Sequence, residues 1–162
     1  VKDIIDFKKK YGSLRAYPKA EKVESSRILE LECDALVPCA TQNQITKENA
    51  DKIQTDLIIE GANSAITLEA EKILNEKNII IIPDLLANSG GLIVSYFEWV
   101  QGLQALQWNI DQFSSELKKI ILQTFNNVYN CCQDDKLTYR ESAYRIAVKR
   151  VISAYKYRGI YP

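Results

Sequence analysis

The sequence predicts an α/β fold in which a small parallel sheet is followed by a helical segment. Three observations carry this prediction. Ala35-Leu36-Val37-Pro38, Asp56-Leu57-Ile58-Ile59-Glu60-Gly61 and Ile79-Ile80-Ile81-Ile82 are short, mostly apolar runs without alternation, the pattern of strands covered on both faces by helices. Segments with helix start signals separate them, which argues for βαβ units with right-handed crossovers. After Gly91 no strand-like run remains, and the rest of the chain reads as three helices.

Taken in order, residues 3–11 form a short helix closed by Gly12, followed by a turn region around Tyr17-Pro18. The first strand comes next. Thr46 can cap a helix running through Ile53, and Thr67 can cap one carrying Leu68, Ile73 and Leu74. The third strand ends in Pro83-Asp84. Loops 38–44, 61–65 and 84–91 then share the carboxyl edge of the sheet, the edge at which an open α/β sheet binds its ligand.

The first C-terminal helix covers about residues 92–107. Asn109, with Gln112 three residues later, opens the second as a capping box, and Leu117, Ile121, Phe125, Val128 and Cys132 recur along it at helical spacing. Thr138 and Glu141 open the third. It carries Tyr144, Val148, Val151, Ile152 and Tyr155 on one face and stops at Gly159, with Pro162 beyond. A domain edge near Gly90-Gly91 divides the chain into an α/β part, residues 1–91, and a helical segment, residues 92–162. Three strands are a small platform for such helices. Together with the absence of Met and an opening Val1-Lys2-Asp3 inside an amphipathic pattern, this suggests a piece of a larger protein.

Composition removes several classes of function. At ~150 residues per domain, 162 residues make one domain or a large piece of one. A 46% hydrophobic fraction can bury a core and excludes disorder. Lys+Arg and Asp+Glu balance at 21 each, so no charge excess is available for counterion release on nucleic acid. With no His, neither Ser-His-Asp nor Cys-His catalysis nor a His-ligated metal is possible within the chain. Cys33, Cys39, Cys131 and Cys132 match neither a zinc site nor a thioredoxin-type pair; they read as reduced thiols packed as small hydrophobes. That fits a reducing compartment, the cytoplasm or an organelle lumen. Apolar runs of four to six residues are too short for a membrane span, and no signal peptide opens the chain.

No P-loop, EF-hand loop, G-x-G-x-x-G or G-x-S-x-G is present, so no catalytic residue and no metal site are assigned. What remains is a pair of polar loops at one sheet edge. In Glu60-Gly61-Ala62-Asn63, Gly61 directly after a strand lets a ligand approach, and Asn63 offers a donor and an acceptor. Asn88-Ser89-Gly90-Gly91 leads from a strand into a helix whose free N–H groups face the same edge. Either alone fits an ordinary turn or linker; both at one edge indicate a small-molecule site. Ser95 and Glu98, one turn apart in the next helix, form a third polar feature.

Pro38-Cys39-Ala40, Asn43-Gln44-Ile45-Thr46, Asn49-Ala50, Glu60-Gly61-Ala62-Asn63 and Ile82-Pro83-Asp84 resemble successive blocks of the Glu/Leu/Phe/Val dehydrogenase family. Asn88-Ser89-Gly90-Gly91 and Val94-Ser95-Tyr96-Phe97-Glu98-Trp99-Val100-Gln101 are similar to the signature of its glutamate dehydrogenase branch, and Ala147-Val148-Lys149-Arg150 and Arg158-Gly159 to the family's last helix. The resemblance implies the second half of a Rossmann-type, dinucleotide-binding parallel sheet followed by C-terminal helices. It implies oxidative deamination of L-glutamate to 2-oxoglutarate and ammonia, with hydride transfer to NAD or NADP, in a homohexamer. The family's catalytic Lys and Asp and its pyrophosphate turn would lie upstream, so this chain alone is expected to be inactive.

By matching motifs, Ala40 and Gln44 fall at the cofactor's ribose side, Asn63 and Asn88 at the nicotinamide ribose and carboxamide, and Ser95 at the distal carboxylate of glutamate. Ser64-Ala65-Ile66-Thr67 departs from the family's usual Gly-Pro-Thr-Thr, and Cys39 and Ser89 stand where Ala is common. A leucine, phenylalanine or valine dehydrogenase is the alternative enzyme, against which the polar Ser95 stands. A non-catalytic binding remnant is the other.

Overall fold

A computed structural model describes residues 2–159; Pro162 lies outside them. Helix α1 (Lys2–Tyr11) ends at Gly12, whose φ of 72° is the left-handed conformation that glycine accepts without steric cost. Strands β1 (Ala35–Leu36), β2 (Leu57–Ile59) and β3 (Ile80–Ile82) form a parallel sheet in sequence order. Ala35 pairs with Leu57, and Ile58 and Ile59 pair with Ile81 and Ile82. The strands are shorter than the apolar runs that predict them.

Both faces of the sheet were expected to be covered, and the second is covered only in part, at its Ile82 end. Ile58 and Ile81 point into a core with Ile45, Ile53, Ala70 and Leu74, whereas Ile80 is 49% exposed on the opposite face. The covering layer is helix α2 (Leu68–Glu76) and the 45–53 segment. Thr67 caps α2 as predicted, its hydroxyl accepting the Ala70 N–H at 3.3 Å.

The helix expected from Thr46 to Ile53 does not form. Ile45 is drawn into a parallel bridge with Ile66, and the Thr46 N–H donates to Asn49 Oδ1 at 2.8 Å. The chain turns, and a single 3-10 turn at Ala50–Lys52 drops Ile53 into the core. Another 3-10 segment, Ser25–Glu30, has no counterpart in the sequence reading.

Past β3 the expected loop is helical. A short helix α3 (Asp84–Ala87) leads through Asn88 and Ser89 into α4 (Gly90–Gln104), so Gly90 and Gly91 lie in the first turn of α4 rather than in a linker. Helix α4 ends at Gln104, three residues before the sequence pattern suggested a limit; Gln101 closes the turn by accepting the Trp108 N–H at 2.7 Å. Helices α5 (Ile110–Asp135) and α6 (Tyr139–Arg158) open with the two predicted capping boxes, Asn109/Gln112 and Thr138/Glu141.

A second core joins them to the sheet. Leu86, Val128 and Ala143 are buried among Ile82, Phe125, Tyr139 and Ile146. Helix α6 thus packs through its small residues Ser142 and Ala143, and the apolar face picked out by its spacing is the outer one: Tyr144, Val148, Val151, Ile152 and Tyr155 are all exposed. No helix among the described residues is long and apolar enough to cross a membrane.

Candidate functional site

The carboxyl ends of all three strands meet at one cleft. Cys39, Ala40, Thr41 and Gln42 after β1, Gly61, Ala62 and Asn63 after β2, and Asn88 after β3 line an opening of about 590 Å³. A hollow of about 540 Å³, lined by Asn63, Leu85, Asn88, Ser89 and Leu92, also borders Asn63 and Asn88. A larger cleft at the opposite edge, beside Asp34, Asp56 and Ile79, lies at the amino ends of the strands. Its Lys77 is tied to the carbonyls of Asp51 and Ile53 at 2.7 and 2.8 Å. The carboxyl edge is the one at which open α/β sheets take their ligands.

Asn63 and Asn88 come together although 25 residues separate them. Asn88 Nδ2 donates to Asn63 Oδ1 at 2.6 Å and to the Gly61 carbonyl at 3.3 Å. Among the described residues Asn63 Nδ2 and Asn88 Oδ1 have no hydrogen-bond partner, which leaves one donor and one acceptor side by side at the cleft to serve a ligand. A nicotinamide carboxamide and a ribose hydroxyl both need such a mixed pair, so these residues fit the cofactor implied by the sequence.

Of the remaining predicted positions, Ala40 and Gly61 line this cleft and Gln44 does not. The Gln44 side chain instead donates to the Thr41 hydroxyl at 2.7 Å, and its N–H donates to the Ala65 carbonyl at 2.8 Å, so it braces loop 38–44 from behind. Ser95 is exposed on α4. It lies three residues beyond the cleft residue Leu92, on the same face of the helix and one turn farther out.

Gly61 has a further reason for its identity. A Cβ there would run into the Cys39 thiol and approach the Pro38 carbonyl at 3.4 Å, so the packing of the β1 loop itself calls for glycine. Cys39 is itself exposed, not packed as a core hydrophobe. Gly61→Ala is expected to drive the thiol from its rotamer and lower stability by about 1 kcal/mol. Adding Cys39→Ala should restore most of that loss in a denaturant titration. At Ser64, where the sequence departs from the family's usual Gly, φ is 49°, a left-handed conformation that glycine adopts freely and serine only at a steric cost.

The sequence reading missed what lies beneath the cleft. Glu60 has no solvent exposure. Its Oε1 accepts the Ile66 N–H and its Oε2 the Asp84 N–H, both at 3.0 Å. Asp84 in turn accepts the Ser64 N–H at 2.8 Å. Arg140, from the first turn of α6, donates to Glu60 Oε2, to Glu71 Oε2 at 2.6 Å and to Asp84 Oδ1 at 3.1 Å. One guanidinium thus serves three carboxylates. Burial pushes the Glu71 carboxyl above its usual range, with the Arg140 charge pulling it back only in part. Burial works against the Arg140 charge, and Glu71 and Glu60 more than offset it, so the guanidinium stays protonated.

The family model for Glutamate/Leucine/Phenylalanine/Valine dehydrogenase matches residues 1–159. A glutamate dehydrogenase of Thermotoga maritima is 43% identical over the whole of this chain, which spans 39% of that protein. The cryptic catabolic NAD-specific glutamate dehydrogenase GudB of Bacillus subtilis is 41% identical over 85% of this chain, and the match covers 32% of it. Among solved structures, the hetero-hexameric glutamate dehydrogenase of Thermus thermophilus in its Leu-bound form superposes with a TM-score of 0.89. That match has 27% identity and covers 99% of this chain and 38% of the other.

Proposed function

This chain belongs to the Glutamate/Leucine/Phenylalanine/Valine dehydrogenase family, and we propose that it forms the C-terminal part of a glutamate dehydrogenase. The intact protein would convert L-glutamate to 2-oxoglutarate and ammonia with hydride transfer to NAD or NADP. The observation that carries this reading is the Asn63–Asn88 pair at the carboxyl edge of a parallel sheet. Both curated relatives described above bear the glutamate dehydrogenase name, which favours glutamate over an apolar amino acid.

In this proposal residues 1–91 supply half of the dinucleotide-binding domain and residues 92–162 the helical segment. Ala40, Gly61, Asn63 and Asn88 contact the cofactor, and Gln44 acts on it through Thr41. The protein works in the cytoplasm as a homohexamer; the exposed apolar faces of α4 and α6, Tyr96 and Trp99 on one and Val151 and Tyr155 on the other, suit burial within a larger assembly. The test is reduction of NAD and NADP by the full-length protein with L-glutamate, leucine, phenylalanine or valine. Preference for glutamate supports the reading, preference for an apolar substrate replaces it with the sister activity, and no turnover with any of them points to a binding remnant.

Ser95 is the proposed selector for the distal carboxylate. A hydroxyl donating to a carboxylate contributes ~1.5–3 kcal/mol. Ser95→Val removes the donor and leaves a methyl group in its place, so kcat/KM for glutamate relative to norvaline should fall roughly tenfold or more, as ~1.4 kcal/mol is tenfold. A constant ratio with lower thermal stability would return Ser95 to a packing role.

A further inference from the structure

We propose that Arg140, on the C-terminal helix α6, is a positioning residue for the cofactor cleft: through Glu60 and Asp84 it holds the two loops that present Asn63 and Asn88 in register. The proposal rests on the cofactor reading of that cleft. Its geometry is reciprocal. Glu60 begins the β2 loop and accepts an N–H from Asp84 at the start of the β3 loop. Asp84 accepts an N–H from Ser64, the residue after Asn63. Each carboxylate thus belongs to one loop and binds the backbone of the other, and Arg140 is the cation that both share.

The links to the amides are short. The Asp84 carbonyl accepts the Asn88 N–H at 3.0 Å, and the Gly61 carbonyl, next to Glu60, accepts Asn88 Nδ2. Arg140 touches neither amide and lies 12% exposed beneath them. Its planar fork sends separate N–H groups to Glu60, Glu71 and Asp84; a lysine would keep the charge but not the three directions. A displacement of about 1 Å in a positioned group can cost on the order of a hundredfold in rate, so loss of the fork should be felt in the cleft. Glu71 is the internal control. It shares Arg140 but sits on α2 and bonds to neither loop.

The experiment titrates NADH and NADPH against the full-length protein and its variants. Arg140→Lys should fold, weaken binding of the preferred nucleotide about tenfold, and be non-additive with Asn88→Ala, because both disturb the same contact. Glu71→Gln should change affinity less than twofold. Wild-type affinity in Arg140→Lys, an equal loss in Glu71→Gln, or penalties that multiply fully with Asn88→Ala would each overturn the positioning role. If Arg140→Lys does not fold, Asp84→Asn, which leaves Arg140 paired with Glu60 and Glu71, is measured in its place; weaker nucleotide binding is expected, and wild-type affinity would overturn the role. Failure of the cofactor reading looks different: Asn63→Ala and Asn88→Ala would then bind nucleotide as the wild type does.

Discussion

Arg140→Met is expected to cost the full-length protein about 3–5 kcal/mol of stability, the loss typical when one partner of a buried ion pair is removed. Glu60 has no exposure and would keep two backbone donors while losing its cation. Glu71 and Asp84 lose theirs as well. The sign of the pH dependence follows from Glu71, which burial holds above its ordinary value of 4.5. A carboxyl raised in the folded state favours folding below its unfolded value, and that contribution is lost as pH rises through the folded one. Deleting Arg140 removes the charge that lowers Glu71, so the deficit of the variant should deepen from pH 4.5 towards neutrality and shrink in acid. Urea titrations at several pH values measure both quantities. A loss below about 1 kcal/mol that is flat with pH would mean that the cluster is solvated in the intact protein.

The parts of this fold that are local in sequence were legible in it. Thr67, Asn109 and Thr138 each cap the helix expected of them, because a cap is decided within four residues. The three short apolar runs pair in parallel as expected, because each is too short for a helix and is set off by turn or helix-start signals. Long-range contact decided the failures. Thr46 has the chemistry of a cap, yet the bridge from Ile45 to Ile66 holds its segment in an extended path. The apolar face of α6 is legible from periodicity, yet within this chain it is exposed and the small residues Ser142 and Ala143 meet the core instead; periodicity identifies a face, while its neighbours decide which side is covered.

The site divides the same way. Asn63 and Asn88 were found as loop residues at one sheet edge, and topology brought them together. Arg140 was not found, since its partners stand 56 to 80 residues away and a charged residue in a first helical turn looks like solvated surface. Helix α3 did carry a readable signal in Pro83 followed by Asp84, a proline at the cap and an acid in the first turn.

Replacing either cleft amide should then separate chemistry from folding. Asn88→Ala removes the donor to Asn63 and to the Gly61 carbonyl, together with the acceptor that faces the cleft. Asn63 is exposed and Asn88 half-buried at the cleft mouth, so the fold loses little and water can serve the orphaned groups in the free protein. Bound nucleotide excludes that water. A ligand group left without its partner costs ~1–3 kcal/mol, roughly fivefold to more than a hundredfold in kcat/KM for the cofactor. Asn63→Ala should fall in the same range, and the double variant should lose less than the product of the two, because each amide orients the other. Steady-state kinetics with saturating glutamate, alongside thermal melts, reads the result: cofactor kcat/KM drops while the melting temperature stays within a few degrees. Wild-type kcat/KM in both single variants would reduce these residues to turn formers and move the nicotinamide contact elsewhere on the cleft.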